Sequence, residues 1–387
     1  MSDDDVMGRS RPASGTRPRL AVPTDRPIRL IDEHGIRADE HRTGGFAMPD
    51  AGILLALYRR MVIARRFDVQ VSALTRQGRL ATYPSALGQE ACEIGATAAL
   101  ADADWLFPTY RDSIALLTRG VRPVEILSFF RGDWHSAFDP AAHRIAPQTT
   151  PLATQALHAV GYAMAAKLKG EATATLTFLG DGATSEGDAH EAFNFAAVWQ
   201  TPTVFVIQNN GYAISVPFEK QSRAGTLADK AIGYGMPGHY VDGNDIAAVY
   251  AVVTDALERA RRGRGPTMIE GLTYRMEAHT NSDDPTRYRT DDEVERWRVL
   301  DPIARVEGYL IAEGALDERT RAEIADEAEQ LAAETRQAMN DSPRLDPLEL
   351  FEHVYATPRS SLAEQRAYLA EELSGATLGS NDTGGLS

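Results

Sequence analysis

Residues 173–217, TATLTFLGDGATSEGDAHEAFNFAAVWQTPTVFVIQNNGYAISVP, decide the fold. Thr173 to Leu179 is rich in β-branched and apolar residues and ends at Gly180, which predicts a buried strand. Asp188 to Gln200 predicts a helix of small and aromatic residues, stopped at Thr201-Pro202 because a residue before proline avoids the helical region. Thr203 to Gln208 predicts a second strand, so the stretch is one βαβ unit. Parallel strands joined by a helix bring their carboxyl ends side by side. Asp181, in Gly180-Asp181-Gly182, therefore meets Asn209-Asn210 at the second tip. A carboxylate and an amide oxygen are hard ligands, few enough to leave positions on a Mg²⁺ for water and phosphate oxygens. The helix beginning near Gly187 aims amide hydrogens at the same spot, which favours an anion. A site for a metal and a diphosphate is expected there.

The spacing supports a resemblance. Gly180-Asp181-Gly182 followed by 26 residues and then Asn209-Asn210 resembles the thiamine diphosphate fingerprint. GDGATSEGDAHEAFNFAA together with QNNGYAIS resembles the alpha chain of the first component of 2-oxo acid dehydrogenase complexes. That resemblance implies that Asp181, Asn210 and the Tyr212 carbonyl hold Mg²⁺, and that Gly180, Gly182 and Ala183 allow close backbone approach to the cofactor. Gln208 falls where many relatives carry an Arg that binds the diphosphate. In Asp104-Trp-Leu-Phe-Pro-Thr-Tyr-Arg, the family places the Tyr-Arg pair at the cofactor, here Tyr110 and Arg111; a guanidinium fork suits a diphosphate. Many members have Gln where Thr109 stands.

Two further segments share the likeness. Thr149-Thr-Pro-Leu-Ala-Thr-Gln155 matches a loop that implies Leu152 as apolar support for the bent cofactor and Thr150 as a contact. The same loop makes Thr149, Pro151, Thr154 and Gln155 candidate potassium ligands; a plain helix cap with a polar first turn is the alternative. Tyr274-Arg-Met-Glu-Ala-His-Thr-Asn-Ser-Asp-Asp-Pro-Thr-Arg-Tyr-Arg289 predicts an ordered polar loop and matches the family's active-site loop. Its His279 is the expected catalytic residue, facing cofactor and substrate. Thr280 follows, where animal relatives carry a phosphorylated serine.

Composition narrows the function classes. A net charge of −15 over 387 residues argues against a nucleic-acid surface, which needs clustered cations. No run approaches the roughly 18 apolar residues of a membrane helix. Lysine occurs only as Lys167, Lys169, Lys220 and Lys230, leaving few candidates for Schiff-base chemistry. Cys92 is the sole cysteine, so no internal disulfide forms and a reducing compartment is expected. The N-terminus has no secretory apolar region and Asp3-Asp4-Asp5 suits no mitochondrial presequence, so a bacterial cytoplasmic location is expected.

Three regions are expected. Residues 1–45 mix Pro, Arg, Asp and Gly without periodicity, as a mobile arm would; their Leu20-Ala-Val and Ile28-Arg-Leu-Ile patches suit gripping a partner subunit. Residues 46–355 form the main α/β domain: a mostly parallel sheet with helices on both faces, plus a helical C-terminal region. Its helices include one capped by Asp50, with Leu54, Leu55, Tyr58, Met61 and Val62 on one face, and others over Ala91–Leu100, Ala156–Lys167, Ile246–Arg261 and Asp317–Met339. Gly265 to Glu270 is a further strand. Residues 356–387 carry a helix and, after Ser374, a disordered tail. Gly233-Tyr-Gly-Met-Pro-Gly238 spells a dinucleotide motif without its strand-turn-helix context and is read as a loop. His135 and His143, in a polar stretch, lack ligand spacing and read as structural.

The resemblance covers about residues 50–355 and implies oxidative decarboxylation of a small 2-oxo acid with acyl transfer to a lipoyl group. It also implies a beta subunit in an α₂β₂ assembly, because no glutamate here can be assigned to the cofactor's aminopyrimidine; Glu90, Glu186 and Glu191 have structural explanations. Asp283-Asp284-Pro285 and the Pro-Leu-Ala-Thr-Gln segment lean toward a branched-chain substrate. Pyruvate and acetoin dehydrogenase alpha chains also fit, as does a catalytically silent scaffold subunit.

Overall fold

The computed structural model describes residues 21–133, 136–340, 346–352 and 354–379. Five parallel strands form one sheet in the order β1-β2-β3-β7-β6: β1 is Trp105–Phe107, β2 Thr175–Gly180, β3 Thr203–Asn209, β6 Gly238–Asp242 and β7 Thr267–Leu272. Two short antiparallel strands, β4 (Tyr212–Ala213) and β5 (Val216–Pro217), make a hairpin after β3. The expected unit lands within two residues: helix Gly187–Trp199 joins β2 to β3, which pair in parallel with Gly180 opposite Gln208.

Side chains alternate across a strand, so each strand feeds two cores. Leu176, Phe178, Val204, Val206 and Ile269 enter one core with helices Ala51–Arg76, Glu90–Ala98 and Ile246–Arg261. Leu179, Phe205, Ile207 and Met268 enter the other, against Ala156 and Val160 of helix Thr154–Lys169 and Ala192, Phe193 and Ala196 of helix Gly187–Trp199. Helices thus cover both faces, and both sides of every central strand read as apolar, as a doubly covered parallel sheet requires. Asp50 caps the first long helix by accepting from the Ile53 amide at 2.9 Å.

Residues 21–45 are not a free arm. Ile28, Leu30 and Ile31 are buried, and Ile28 bridges in parallel to Val241 on the edge strand β6. Its amide donates to the Tyr240 carbonyl at 2.8 Å, while the Leu30 and Ile31 amides donate to one Asp245 oxygen at 2.6 and 2.7 Å. A short apolar patch beside an unpaired sheet edge gains both burial and backbone bonds by covering it. The Ile28-Arg-Leu-Ile patch therefore belongs to this chain's own core; Leu20 and the residues before it lie outside the described ones.

The glycines of 233–238 close helix Lys230–Tyr234 and open β6, the reverse of the strand-then-helix order a dinucleotide site needs. The chain divides into two compact units after Met339, rather than at 355. Within the second, helix Ser360–Gly379 runs on past Ser374, where an irregular tail was expected. One glycine inside a helix costs only about 1 kcal/mol, too little to end it. Residues 380–387, the rest of that tail, are outside the described ones. No helix of the described residues is long and apolar enough to cross a membrane.

Candidate active site

Because β2 and β3 run in parallel and in register, the turn after each lies at the same edge of the sheet. Between them opens a cavity of about 210 Å³. Gly180, Asp181, Gly182 and Ala183 line it from the first turn, and Gln208, Asn210 and Tyr212 from the second strand and its hairpin. Tyr110, Arg111, Leu152 and His279 complete the wall. Of the expected residues Thr150 and the candidate potassium ligand Thr154 are absent from it, while Thr149, Pro151 and Gln155 line the wall.

The two tips present oxygen atoms to the cavity. Asp181 is 2% and Asn210 6% exposed. The Asp181 carboxylate accepts from Gln221 Nε2 at 2.8 Å, and burial holds its proton affinity above the ordinary carboxylate range. A buried carboxylate facing a cavity with one neutral side-chain partner is what a bound cation relieves. Among the described residues no cluster of three or more His, Cys, Asp or Glu side chains could hold a metal, so an ion here would depend on amide and carbonyl oxygens beside Asp181. A Cβ on Gly180 would meet no protein atom within 4 Å, so this backbone faces open space. Gly182 is the contrary case: its Cβ would stand 2.6 Å from that of Ala213, locking the first turn against the hairpin.

The opposite wall is cationic. Arg111 is 6% exposed; its Nη1 donates to the Ser85 carbonyl at 2.8 Å and its Nη2 lies 3.1 Å from His279 Nδ1. Arg275 Nη1 lies 3.4 Å from the same nitrogen, and its Nη2 donates to the Ile214 carbonyl at 2.7 Å. Two guanidinium groups can only donate, so Nδ1 must accept and the imidazole hydrogen sits on Nε2. Burial, then Arg111 and Arg275, bring the His279 value down to about 4, which makes the ring neutral near pH 7. The Tyr110 ring stands edge-on to it at 6.1 Å. The loop itself is clamped: the His279 amide donates to Asp283 at 2.9 Å, and Arg289 donates to the Met276 and Glu277 carbonyls at 2.9 Å each.

Some partners escaped the sequence reading. Arg275 sits four residues before His279 in the loop quoted for that histidine, and this spacing was the available signal. Gln89 and Glu186 also line the cavity. Gln208 does not reach freely into it as an arginine substitute: its amide accepts from Gln89 and donates to Asp112, at 2.8 and 2.6 Å. At the candidate potassium loop, Ala153 occupies the cap position with φ +64° and no capping side chain, contrary to the plain-cap alternative. Gln155 donates to the Phe178 carbonyl at 2.7 Å while its buried Oε1 has no partner among the described residues. His143 packs edge-on to Phe138, and His135 lies outside the described residues.

The family model described as "Dehydrogenase E1 component" matches residues 58–348. The chain is 47% identical over 347 residues to the 3-methyl-2-oxobutanoate dehydrogenase subunit alpha of Mycobacterium tuberculosis, covering 90% of this chain and 94% of the relative. It is 39% identical over 314 residues to the pyruvate dehydrogenase E1 component subunit alpha of Acholeplasma laidlawii, covering 81% and 91%. Its identity to the Staphylococcus aureus protein of that description is 38% over 343 residues, covering 87% and 91%.

Proposed function

The chain belongs to the dehydrogenase E1 component family, and from that premise we propose that it is the alpha subunit of a 2-oxo acid dehydrogenase acting on a branched-chain 2-oxo acid. The observation that carries the proposal is one cavity joining Asp181 and Asn210 to a neutral His279 flanked by two arginines. The 47% identity to a 3-methyl-2-oxobutanoate enzyme, against 38–39% to pyruvate enzymes, supports the substrate class.

The family depends on thiamine diphosphate, which when bound supplies the electron sink for decarboxylation. Asp181, Asn210 and the Tyr212 carbonyl would hold Mg²⁺, whose remaining positions suit water and diphosphate oxygens. Arg111 would pair with the diphosphate, with Tyr110 beside it. Thr150, Gly180, Gly182, Ala183 and Gln208 would complete the cofactor's surroundings, and Leu152, 43% exposed in this chain alone, would support its apolar face. For K⁺ we propose Thr149, Pro151, Thr154 and Gln155, on the support of the unpartnered Gln155 Oε1.

His279 is assigned as the catalytic residue. With its hydrogen on Nε2 it can donate to a substrate carboxylate or carbonyl oxygen, and as a weak base it does not compete for the proton it presents. Arg275 and Arg111 keep it in that state. The acyl group then passes to the lipoyl domain of a second component. An alpha chain of this family works with a beta chain; we assign the aminopyrimidine half of the site to that partner, in an α₂β₂ assembly of the bacterial cytoplasm. We assign no nucleic-acid or membrane role.

The test is co-expression with the partner chain and 2-oxo acid-dependent dye reduction in thiamine diphosphate and Mg²⁺. The expected result is preference for 3-methyl-2-oxobutanoate over pyruvate and no activity of the isolated alpha chain. Preference for pyruvate would move the substrate assignment, and inactivity on both would return the chain to a silent scaffold.

A further inference from the structure

A single file of side-chain amides runs from helix Ser113–Thr118 to the cavity. Asp112, fully buried before that helix, accepts the Thr109 amide on Oδ2 at 2.6 Å and Gln208 Nε2 on Oδ1 at 2.6 Å. Gln208 Oε1 accepts from Gln89 Nε2 at 2.8 Å, and Gln89 Oε1 accepts from Asn210 Nδ2 at 2.9 Å. All four side chains are buried, so each needs a hydrogen-bond partner within the protein or the cavity. An amide has a donor end and an acceptor end, so the direction of each link fixes that of the next, and the Tyr212 amide at the far end favours the same direction by donating to Asn210 Oδ1. An ionised carboxylate only accepts, so it turns the first NH₂ toward itself and every later amide the same way.

We infer that Asp112 is a positioning residue for the proposed metal, fixing through Gln208 and Gln89 which end of the Asn210 amide faces the cavity. With Nδ2 committed to Gln89, Asn210 presents Oδ1, which takes the Tyr212 amide at 3.2 Å and keeps a lone pair for a cation. This rests on the reading of Asn210 as a metal ligand. Burial pushes Asp112 up to about 6, still ionised at pH 8.

The sharpest perturbation is Asp112→Asn. The Thr109 amide still needs an acceptor, so the introduced amide turns its oxygen there and offers NH₂ to Gln208. The file must then either reverse, turning the Asn210 NH₂ toward both the Tyr212 amide and the metal position, or keep its direction with two NH₂ groups opposed between positions 112 and 208; either way the oxygen ligand loses its fixed position. Adding Gln208→Glu places an acceptor one link further on, so the double variant D112N/Q208E regains both the direction and the charge. Gln89→Leu cuts the file without changing charge and is not repaired by Q208E.

The measurement is Mn²⁺ binding, by titration calorimetry and by the EPR signal of free Mn²⁺, at pH 8 on the co-expressed αβ assembly with thiamine diphosphate. Thermal melting identifies any variant that fails to fold. Outer partners of metal ligands typically alter affinity by about 10- to 100-fold. D112N and Q89L should each weaken Mn²⁺ by about tenfold or more, and D112N/Q208E should return to within about threefold of the parent. Parental affinity in folded D112N, failure of Q208E to restore it, or rescue of Q89L by Q208E overturns the relay. A parent assembly that binds no Mn²⁺ overturns the metal reading beneath it, a separate and recognisable failure.

Discussion

Gly182→Ala tests how the turn carrying Asp181 is held. The added Cβ would lie 2.6 Å from the Ala213 Cβ, whereas carbon atoms attract at about 3.5–4.0 Å. Either the turn carrying Asp181 or the hairpin carrying the Tyr212 carbonyl must retreat by about 1 Å. Overpacking of this kind costs about 1–3 kcal/mol, and since 1.4 kcal/mol is tenfold, cofactor affinity should fall about 5- to 150-fold. Ala213→Gly removes the obstructing atom; the next is the residue 213 Cα at 3.5 Å, an ordinary contact. The double variant should therefore recover most of the loss. The assay is thiamine diphosphate titration of the αβ assembly in saturating Mg²⁺, followed by tryptophan fluorescence, with thermal melts alongside. Parental affinity in G182A, or no recovery in G182A/A213G, refutes the argument that this contact positions the two tips.

Other outcomes follow from the same structure. His279→Ala should retain thiamine diphosphate binding but slow reductive acylation of the lipoyl domain by about 10²- to 10⁴-fold, read by single-turnover kinetics. Because His279 is held near 4, the parent's kcat/KM profile should show no inflection near 6.5 that disappears in this variant. His239, brought down to about 4 by burial, takes up its proton only in the unfolded chain between about 6.5 and 4. Stability should therefore rise with pH across that window, falling as pH drops from 6.5 toward 4 and levelling below. His239→Asn should flatten this limb in denaturant titrations at pH 4.5 and 7. Cys92 is buried between Gly243 and Gly271, and burial pushes its thiol well above the usual range. A disulfide reagent should find no reactive thiol in the native protein and one after unfolding; rapid native labelling would contradict the packing.

How much of this was legible depends on the sequence distance between cooperating residues. The βαβ unit is local: its strands, helix and stop signal occupy one continuous stretch, so their order and even the placing of Asp181 and Asn210 on one cavity follow from chain geometry. The loop around His279 was legible as a whole, yet the state of its ring was not. That state depends on Arg111, 168 residues earlier, and on Arg275 folding back from the same loop. Composition misled at the N-terminus. Proline, arginine and glycine do disfavour regular structure, but a few apolar residues suffice where an exposed sheet edge offers backbone partners, and that edge is formed by β6, over 200 residues later.

Gln208 shows the limit most clearly. Against the family pattern it is a missing arginine, a loss of positive charge. In the fold its neighbour is the buried carboxylate of Asp112, 96 residues away, with Arg111 next to that carboxylate in the chain. A second arginine at 208 would bring its own charge to Asp112 and end the file of amides, since a guanidinium cannot accept from Gln89. A glutamine can both accept and donate, so the substitution exchanges a cation for a directional link. The residue is therefore specified by the polarity of its neighbours, a constraint that exists only once four distant side chains are buried in one line.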